Sequence, residues 1–146
     1  MKIDDIDRKI LNELMQDSRL SMSELGRRIN LSSPSVSERV KQMESHGVIE
    51  SYTTKINHGK LGNDIQCIIE ATVKNGDYKG FKQKIAELPN VDFCYRIAGQ
   101  ACFMLKLHFA TFAEAEAFID HINPFAHTVT HFIFSEVETQ TLFTNQ

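Results

Sequence analysis

Polar side chains line one face of a helix that the sequence predicts between Ser33 and Gly47. Val36, Val40 and Met43 recur at helical spacing and predict the buried face of this helix. The opposite face carries hydroxyl, carboxylate, ammonium and amide groups: Ser35, Glu38, Lys41, Gln42 and Ser45. Such groups can hydrogen-bond to the edges of bases in the major groove of DNA. The pattern indicates either a surface that reads nucleic acid or the solvated side of an ordinary helical hairpin.

A shorter helix precedes this one and is separated from it by a tight break. Ser21 and Glu24 have the spacing of a capping box, which satisfies free backbone amides at a helix start. Pro34 is tolerated in the first turn of the second helix because its missing N–H would be unpaired there. Ser32 or Ser33 supplies the hydroxyl cap. A helix, a short turn and a second helix of this kind have the geometry of the helix-turn-helix that reads DNA.

The net charge of −3 argues against a simple coat for nucleic acid, but the charges are unevenly distributed. Residues 18–60 contain seven Lys or Arg and four Asp or Glu, whereas residues 61–146 contain six and ten. The positive excess therefore lies on the predicted reading module, where phosphates would be. Arg39 has an alternative role in an ion pair with Glu38 or Glu44. The predicted DNA-binding residues are Arg27, Arg28, Ser32, Ser33, Ser35, Ser37, Glu38, Arg39, Lys41, Gln42 and Lys55.

The helix pair is flanked by two further predicted elements. Residues 4–17 form an amphipathic helix whose apolar stripe packs against the helices that follow, with Asp4 or Asp5 as its cap. Its acidic side chains are predicted to point to water: Asp5, Asp7 and Glu13. After Gly47, residues 48–56 are predicted to form a short hairpin, the wing of a winged helix-turn-helix.

The second half of the chain changes to the alternating period of strands. Strands are predicted at 65–73, 91–97, 103–109 and 128–137, with helices through Phe81–Leu88 and Thr111–Ile122. The order β-α-β-β-α-β is that of a ferredoxin-like unit. The predicted fold is therefore α+β, with an N-terminal winged helix-turn-helix followed by a ferredoxin-like βαββαβ domain. The predicted boundaries are 1–57 for the DNA-binding domain, 58–64 for the linker, and 65–146 for an oligomerisation and effector-binding domain.

Two helices can cover only one face of a four-stranded sheet. The other face is predicted to carry apolar side chains among Cys67, Ile68, Ile69, Met104, Phe132 and Phe134. An apolar sheet face needs a partner surface. Sheet-to-sheet dimerisation is the arrangement that this pattern favours.

The segment from residue 31 to residue 62 resembles the signature of the Lrp/AsnC (feast/famine) transcription regulators. The matching positions are Leu31-Ser32, Ser35-Val36, Arg39-Val40, Glu44, Gly47-Val48-Ile49, Tyr52 and Leu61-Gly62. This resemblance implies a regulator that binds double-stranded DNA, forms homodimers and assembles further into octamers. It also implies a small-molecule effector bound at a subunit interface, beside a Gly-rich turn between the second and third strands.

The residues at the matching effector positions are Gly99, Gln100, Ala101, Cys102, Thr128 and Thr130. Family members that bind amino acids usually carry an Asp at the position aligned with Cys102, where the carboxylate pairs with the ligand's ammonium group. A neutral thiol is a poor substitute, so this departure argues against ordinary amino-acid sensing. Thr128 and Thr130 have a second interpretation, as β-formers that begin a strand.

Two other functions are compatible with this sequence. A nucleoid-architectural protein would wrap DNA around an oligomer without an amino-acid effector, and the missing Asp favours this alternative. Some proteins that resemble the family in fold are sirohaem decarboxylases, and the candidates for such chemistry are Arg96, His108, His121 and His131. These four are predicted to lie on different faces, so a regulator rather than an enzyme is expected.

Several kinds of site and location are not expected. Cys67, Cys94 and Cys102 are odd in number and lack C-x-x-C spacing, which is typical of reduced thiols in a cytoplasmic protein. The six His residues lack metal-ligand spacing, so we predict no metal and no cofactor. Apolar runs are too short to span a membrane, and the first five residues do not resemble a signal peptide.

Overall fold

The computed structural model describes residues 1–137 together with Thr139 and Phe143. The chain divides into two compact units. One consists of residues 1–55 and also contains Thr139 and Phe143, and the other consists of residues 56–137. None of the helices in this described part has the length and apolar composition that crossing a membrane requires.

The first unit contains three helices: α1 (Asp5–Gln16), α2 (Met22–Ile29) and α3 (Ser33–Ser45). Each begins at a side-chain cap that the sequence predicted. Asp4 and Asp7 form a reciprocal capping box on α1, Ser21 accepts from the Glu24 amide, and Ser32 accepts from the Ser35 amide. The helices enclose a core of Ile10, Leu14, Leu20, Leu25, Val36, Val40 and Met43.

The break between α2 and α3 depends on two residues with special backbone properties. Asn30 adopts the left-handed conformation (φ 61°) that ends α2. Gly26 lies so close to the turn that a Cβ atom there would stand 2.5 Å from the carbonyl oxygen of Leu31. The two helices therefore approach each other tightly, as a helix-turn-helix requires.

The hairpin predicted over residues 48–56 is not formed. Residues 50–57 form neither a helix nor a strand, although all of them are described. The segment is instead attached to the end of α3. The amides of Val48 and Ile49 both donate to the Met43 carbonyl, and the Tyr52 hydroxyl donates to Glu44. Partial burial, followed by this hydrogen bond, raises the pKa of Tyr52 to about 12.

The second unit confirms the predicted βαββαβ order and the α+β fold. Its elements are β1 (Ile65–Val73), α4 (Tyr78–Ala86), β2 (Val91–Arg96), β3 (Phe103–Phe109), α5 (Phe112–Ile122) and β4 (Ala126–Phe132). Short 3-10 turns span His58–Leu61 and Lys74–Gly76. The four strands form an antiparallel sheet in the order β2-β3-β1-β4. Strand β4 ends at Phe132 rather than at the predicted Val137.

The sheet has one face covered by α4 and α5 and one open face. The covered face packs Cys67, Ile69, Ala71, Phe103, Leu105 and Leu107 against Phe81, Ile85, Phe118 and Ile122. Three residues predicted for the open face lie elsewhere. Cys67 and Ile69 are buried under the helices, and Phe132 pairs with Cys67 and contacts the Phe112 ring of α5. The open face carries Ile68, Met104, Tyr95 and Val129 among polar side chains.

Candidate nucleic-acid interface and effector turn

The structure places the predicted reading residues on the solvent side of α3. Val36, Val40 and Met43 are buried on the inner side of this helix. The exposed residues are Ser35, Glu38, Lys41, Gln42 and Ser45, and Ser33 and Ser37 are half-buried. An amphipathic third helix therefore presents hydroxyl, carboxylate, ammonium and amide groups to solvent in one row. These are groups that can recognise base edges.

Weak mutual contacts hold these exposed side chains in place. The Gln42 amide donates to Glu38 at 3.1 Å, one helical turn away. The hydroxyls of Ser32 and Ser35 lie 2.7 Å apart, and Ser32 also caps the helix. Hydrogen bonds between solvent-exposed groups contribute little net free energy, because water or another partner replaces them readily. These side chains can exchange their partners for base edges without leaving a buried group unsatisfied.

Arg39 anchors α3 to α1. Its Nη1 donates to Asp4 Oδ2 and to Asp7 Oδ1, each at 2.8 Å. Asp7 is 1% exposed, and its other oxygen accepts the Asp4 amide at 3.1 Å. The two carboxylates raise the pKa of Arg39, with Asp7 contributing most. The alternative ion pair predicted with Glu38 or Glu44 is wrong.

The role of Asp7 was missed in the sequence. The prediction that Asp7 points to water is wrong, because Asp7 is buried; Glu13 lies at the surface and accepts from Arg28 at 2.9 Å. The spacing of Asp4 and Asp7 already indicated a capping box, which would have turned Asp7 toward the helix start. Its ion pair with Arg39 joins α1 to α3, and no spacing in the sequence predicts it.

The cationic side chains predicted to contact phosphates differ in how closely they already bind carboxylates of this chain. Arg28 donates to Glu13 at 2.9 Å and to Glu24 at 3.2 Å, and these carboxylates raise its pKa. Arg27 is 80% exposed and lies 3.8 Å from Glu24, which is a long ion pair. Lys41 is exposed on α3. Arg27 and Lys41 are therefore more available to a phosphate than Arg28.

The predicted effector residues surround one end of β1. The Cys102 amide donates to the Ala71 carbonyl, and Thr128 pairs with Ala71 from the opposite side, on β4. The Thr72 hydroxyl contacts the Gln100 carbonyl at 3.4 Å. Thr130 lies further along β4, opposite Ile69. The structure thus brings the turn at 99–102 and the start of β4 to the same end of the sheet.

Arg96 shapes this turn from the covered face of the sheet. Its Nη1 donates to the carbonyls of Ile97 and Cys102 at 3.1 and 2.7 Å. Its guanidinium also lies over the rings of Tyr78 and Phe103. Arg96 is therefore committed to holding the turn, which a reading of residue types alone did not reveal.

The residues considered for decarboxylase chemistry do not converge. Arg96 holds the turn described above, whereas His108 pairs with Asp92 on the open face at 2.9 Å. His131 lies 3.3 Å from Glu70 on the other side of β1, and His121 is exposed at the end of α5. The structure instead brings together His58, Asp92 and His108, three residues that the sequence did not connect.

A helix-turn-helix with a polar, exposed third helix, followed by a ferredoxin-like domain, defines a two-domain DNA-binding regulator. Residues 3–50 match a family described as winged helix-turn-helix DNA-binding, and residues 66–143 match the Lrp/AsnC ligand binding domain. The chain belongs to the Lrp/AsnC family and is a DNA-binding transcription regulator of that type.

Relatives and solved structures agree with this family over nearly the whole chain. The HTH-type transcriptional regulator LrpC of Bacillus subtilis is 56% identical over 140 residues, covering 96% of this chain and 97% of LrpC. The structure of B. subtilis LrpC superposes with a TM-score of 0.92 at 57% identity, covering 95% and 99% of the two chains. The feast or famine regulatory protein of M. tuberculosis, complexed with L-methionine, gives a TM-score of 0.88 at 26% identity, covering 97% and 99%.

Proposed function

We propose that this regulator reads DNA through the exposed row of α3 while Arg39 and Asp7 hold that helix in position. The observation that carries the proposal is that α3 has two kinds of polar side chain, some exposed to solvent and one bound to another helix. Ser35, Glu38 and Gln42 face solvent with weak mutual contacts, whereas Arg39 is tied to α1. A recognition helix must be fixed in orientation and still present free polar groups to base edges.

Phosphate contacts are proposed for the more available cations. Arg27 and Lys41 lie on the exposed surface of α2 and α3. Lys55, exposed in the segment after α3, is proposed as a further phosphate contact on its charge and position alone. Arg28 shares its guanidinium with two carboxylates, so we expect a smaller contribution from it. We assign Arg39 a positioning role rather than a phosphate contact.

A selection of bound DNA fragments tests the reading surface. Wild-type protein and the single variants Ser35→Ala, Glu38→Ala and Gln42→Ala are each used to select sites from genomic fragments. We expect each lost base contact to cost about 1–3 kcal/mol and to relax sequence preference at one position. Glu116→Ala, an exposed carboxylate on α5, is the matched control. Recovery of the wild-type motif at unchanged affinity by all three variants would refute this assignment.

We further propose that the protein binds DNA as a homodimer or a higher oligomer. The open sheet face supports this because it carries Ile68, Met104 and Tyr95, which a second copy can cover. Family resemblance adds the expectation that such dimers assemble into octamers. Two recognition helices related by a two-fold axis can then engage one side of a duplex.

The effector, if it is an amino acid, is proposed to bind weakly at the turn formed by residues 99–102. The M. tuberculosis relative is described as a complex with L-methionine. This chain has Cys102 where the family resemblance implies a carboxylate for the ligand's ammonium group. An ammonium group buried without an anionic partner loses hydration that nothing replaces. A DNA-wrapping role without an amino-acid effector is the second candidate, and the same thiol favours it.

A further inference from the structure

Three potential metal ligands meet on the open face of the sheet, near its edge strand. They come from separate elements: His58 from the 3-10 turn before β1, Asp92 from β2 and His108 from β3. Their donor atoms all lie within 4.8 Å of one another. Within the described residues, this is the only group of three His, Cys, Asp or Glu side chains that meets this condition.

Both imidazole rings contact the same carboxylate oxygen. His108 Nδ1 lies 2.9 Å and His58 Nε2 lies 3.3 Å from Asp92 Oδ1. The two rings are stacked, with centroids 3.7 Å apart and planes inclined by 24°. The side chains of His58, Asp92 and His108 are only 22%, 20% and 11% exposed. The two ring nitrogens and the oxygen therefore converge on one position, where the three side chains are only partly exposed to solvent.

The backbone holds each of these residues in place. Asp92 lies at an irregularity in β2, because Val91 pairs with Leu107 whereas Phe93 pairs with the adjacent Lys106. Such a bulge redirects a side chain and is common beside functional sites. His108 is fixed by reciprocal contacts with Asn90, whose side-chain amide donates to the His108 carbonyl and whose carbonyl accepts its amide.

His58 is fixed by the cap of its own turn. The Asn57 side chain accepts the Lys60 amide and closes the 3-10 turn that begins at His58. This turn precedes β1, so His58 reaches strands β2 and β3 across the open face. These three residues are far apart in the sequence, and only the fold brings them together.

We propose that His58, Asp92 and His108 bind one divalent transition-metal ion, with Zn²⁺ as the representative. Two imidazole nitrogens and a carboxylate oxygen are ligands that Zn²⁺ binds at about 2.0–2.2 Å. Observed separations of 2.9 and 3.3 Å between donors match the edges of such a coordination shell after small side-chain rotations. Three protein ligands leave a coordination position for water or a small ligand.

Lys106 sets a limit on the affinity of this site. Its ammonium lies 3.7 Å from Asp92 Oδ2, the carboxylate oxygen that neither imidazole contacts. The metal ion takes the Oδ1 side, and the ammonium opposes it by charge repulsion. Removing this charge is therefore expected to tighten metal binding without altering a ligand.

A second His–carboxylate pair supplies the matched control. His131 Nε2 lies 3.3 Å from Glu70 Oε1, a distance equal to that between His58 and Asp92. Both residues lie on the open face, but no second imidazole joins them in the group of converging donors. A single His–carboxylate pair offers too few ligands to bind Zn²⁺ strongly.

The experiment uses the full chain after treatment with a chelator and dialysis. Calorimetric titration with Zn²⁺ is expected to show one ion bound per chain, and Co²⁺ is expected to give visible absorption bands of a ligand field containing nitrogen. His58→Gln, Asp92→Asn and His108→Gln are each expected to weaken Zn²⁺ binding more than about tenfold. His131→Gln should bind as the wild type does, and Lys106→Gln should bind more tightly.

Two results would overturn the proposal. One is the absence of Zn²⁺ uptake by folded wild-type protein when the ion is in excess. The other is equal weakening by His131→Gln and His58→Gln, which would indicate scattered surface binding. Circular dichroism verifies the fold of each variant. Lys106→Gln keeps all three ligands, so tighter Zn²⁺ binding by this variant supports the site even where a ligand variant fails to fold, and an unchanged affinity contradicts the charge argument.

Discussion

Asp7 is a carboxylate in an otherwise apolar part of the first unit. Within the described residues it is the one charged side chain that is almost fully buried. A buried charge is tolerated only when it is paired and its lone pairs are hydrogen-bonded. Arg39 and the Asp4 amide meet both conditions, since they contact the two oxygens of Asp7. This pairing links α3, which carries the proposed reading surface, to α1.

Asp7→Asn is expected to lower the free energy of unfolding by about 1–3 kcal/mol, because a buried hydrogen-bond network loses its charged acceptor. Asp5→Asn, in the exposed first turn of the same helix, is the matched control and should change stability far less. Urea denaturation of both variants at neutral pH measures the difference. Equal stability of the two variants would show that the anchor contributes nothing.

The same anchor has a pH signature at Asp4. The Asp7 amide, and then Arg39, lower the pKa of Asp4 below its usual value of 3.8. A depressed carboxyl pKa stabilises the folded state above the pKa of the unfolded chain, and this stabilisation is lost as the pH falls through the lower, folded value. Acid titration of Asp4→Asn should therefore lack part of the loss of stability that the wild type shows below about pH 4.

At the scale of elements, the sequence predicted correctly those helices and strands whose hydrophobic period ends where turn or cap residues begin. Strand β1 begins and ends at the predicted residues, Ile65 and Val73, because strict alternation stops at a turn containing Asn75 and Gly76. Strand β4 was predicted too long because apolar residues continue to Val137. Its partner β1 begins at Ile65, so strand pairing ends near Phe132 opposite Cys67. Alternation of apolar and polar residues predicts which side chains share a face, but a strand ends where its neighbouring strand no longer pairs with it.

The candidate sites differ in how far the sequence could predict them. The reading face of α3 follows from helical period alone, so Ser35, Glu38 and Gln42 were placed correctly on the solvent side. The cluster of His58, Asp92 and His108 could not be predicted. It depends on the sheet order, on a bulge in β2 and on a turn that precedes the sheet.

The turn between β2 and β3 permits a test of effector binding. We expect no thermal shift of the wild type with any of the twenty amino acids at millimolar concentration. Cys102→Asp restores an anionic partner for an ammonium group and should gain a shift with at least one of them. Cys102→Asn, similar in size and neutral, is the control that separates charge from shape.

A clear wild-type shift with leucine, methionine or asparagine would contradict the significance assigned to Cys102. If neither the wild type nor Cys102→Asp responds, the turn is better explained as an element of assembly. Arg96 already gives it a structural function there, through its hydrogen bonds to Ile97 and Cys102. The DNA-wrapping alternative would then gain support.

At the scale of the whole molecule, the open sheet face is the surface that we propose for assembly. It mixes apolar residues with the charged Glu70 and Lys106, which suits a two-fold contact in which unlike charges of two copies meet. The covered face is already closed by α4 and α5, so it offers no comparable surface.

The last prediction concerns this interface and the DNA that it implies. Ile68→Glu places an unpaired charge on the open face and should shift the dimer toward monomer, because burying that charge in the contact is unfavourable. Ala113→Glu, on the exposed surface of α5, is the control and should remain dimeric. Light scattering at micromolar concentration measures both. Wild-type binding sites should contain half-sites about 34–36 Å apart, or at multiples of one helical turn. A monodisperse wild-type monomer would contradict the proposed assembly. Half-sites without a regular spacing would show that the dimer contact does not determine how the protein binds DNA.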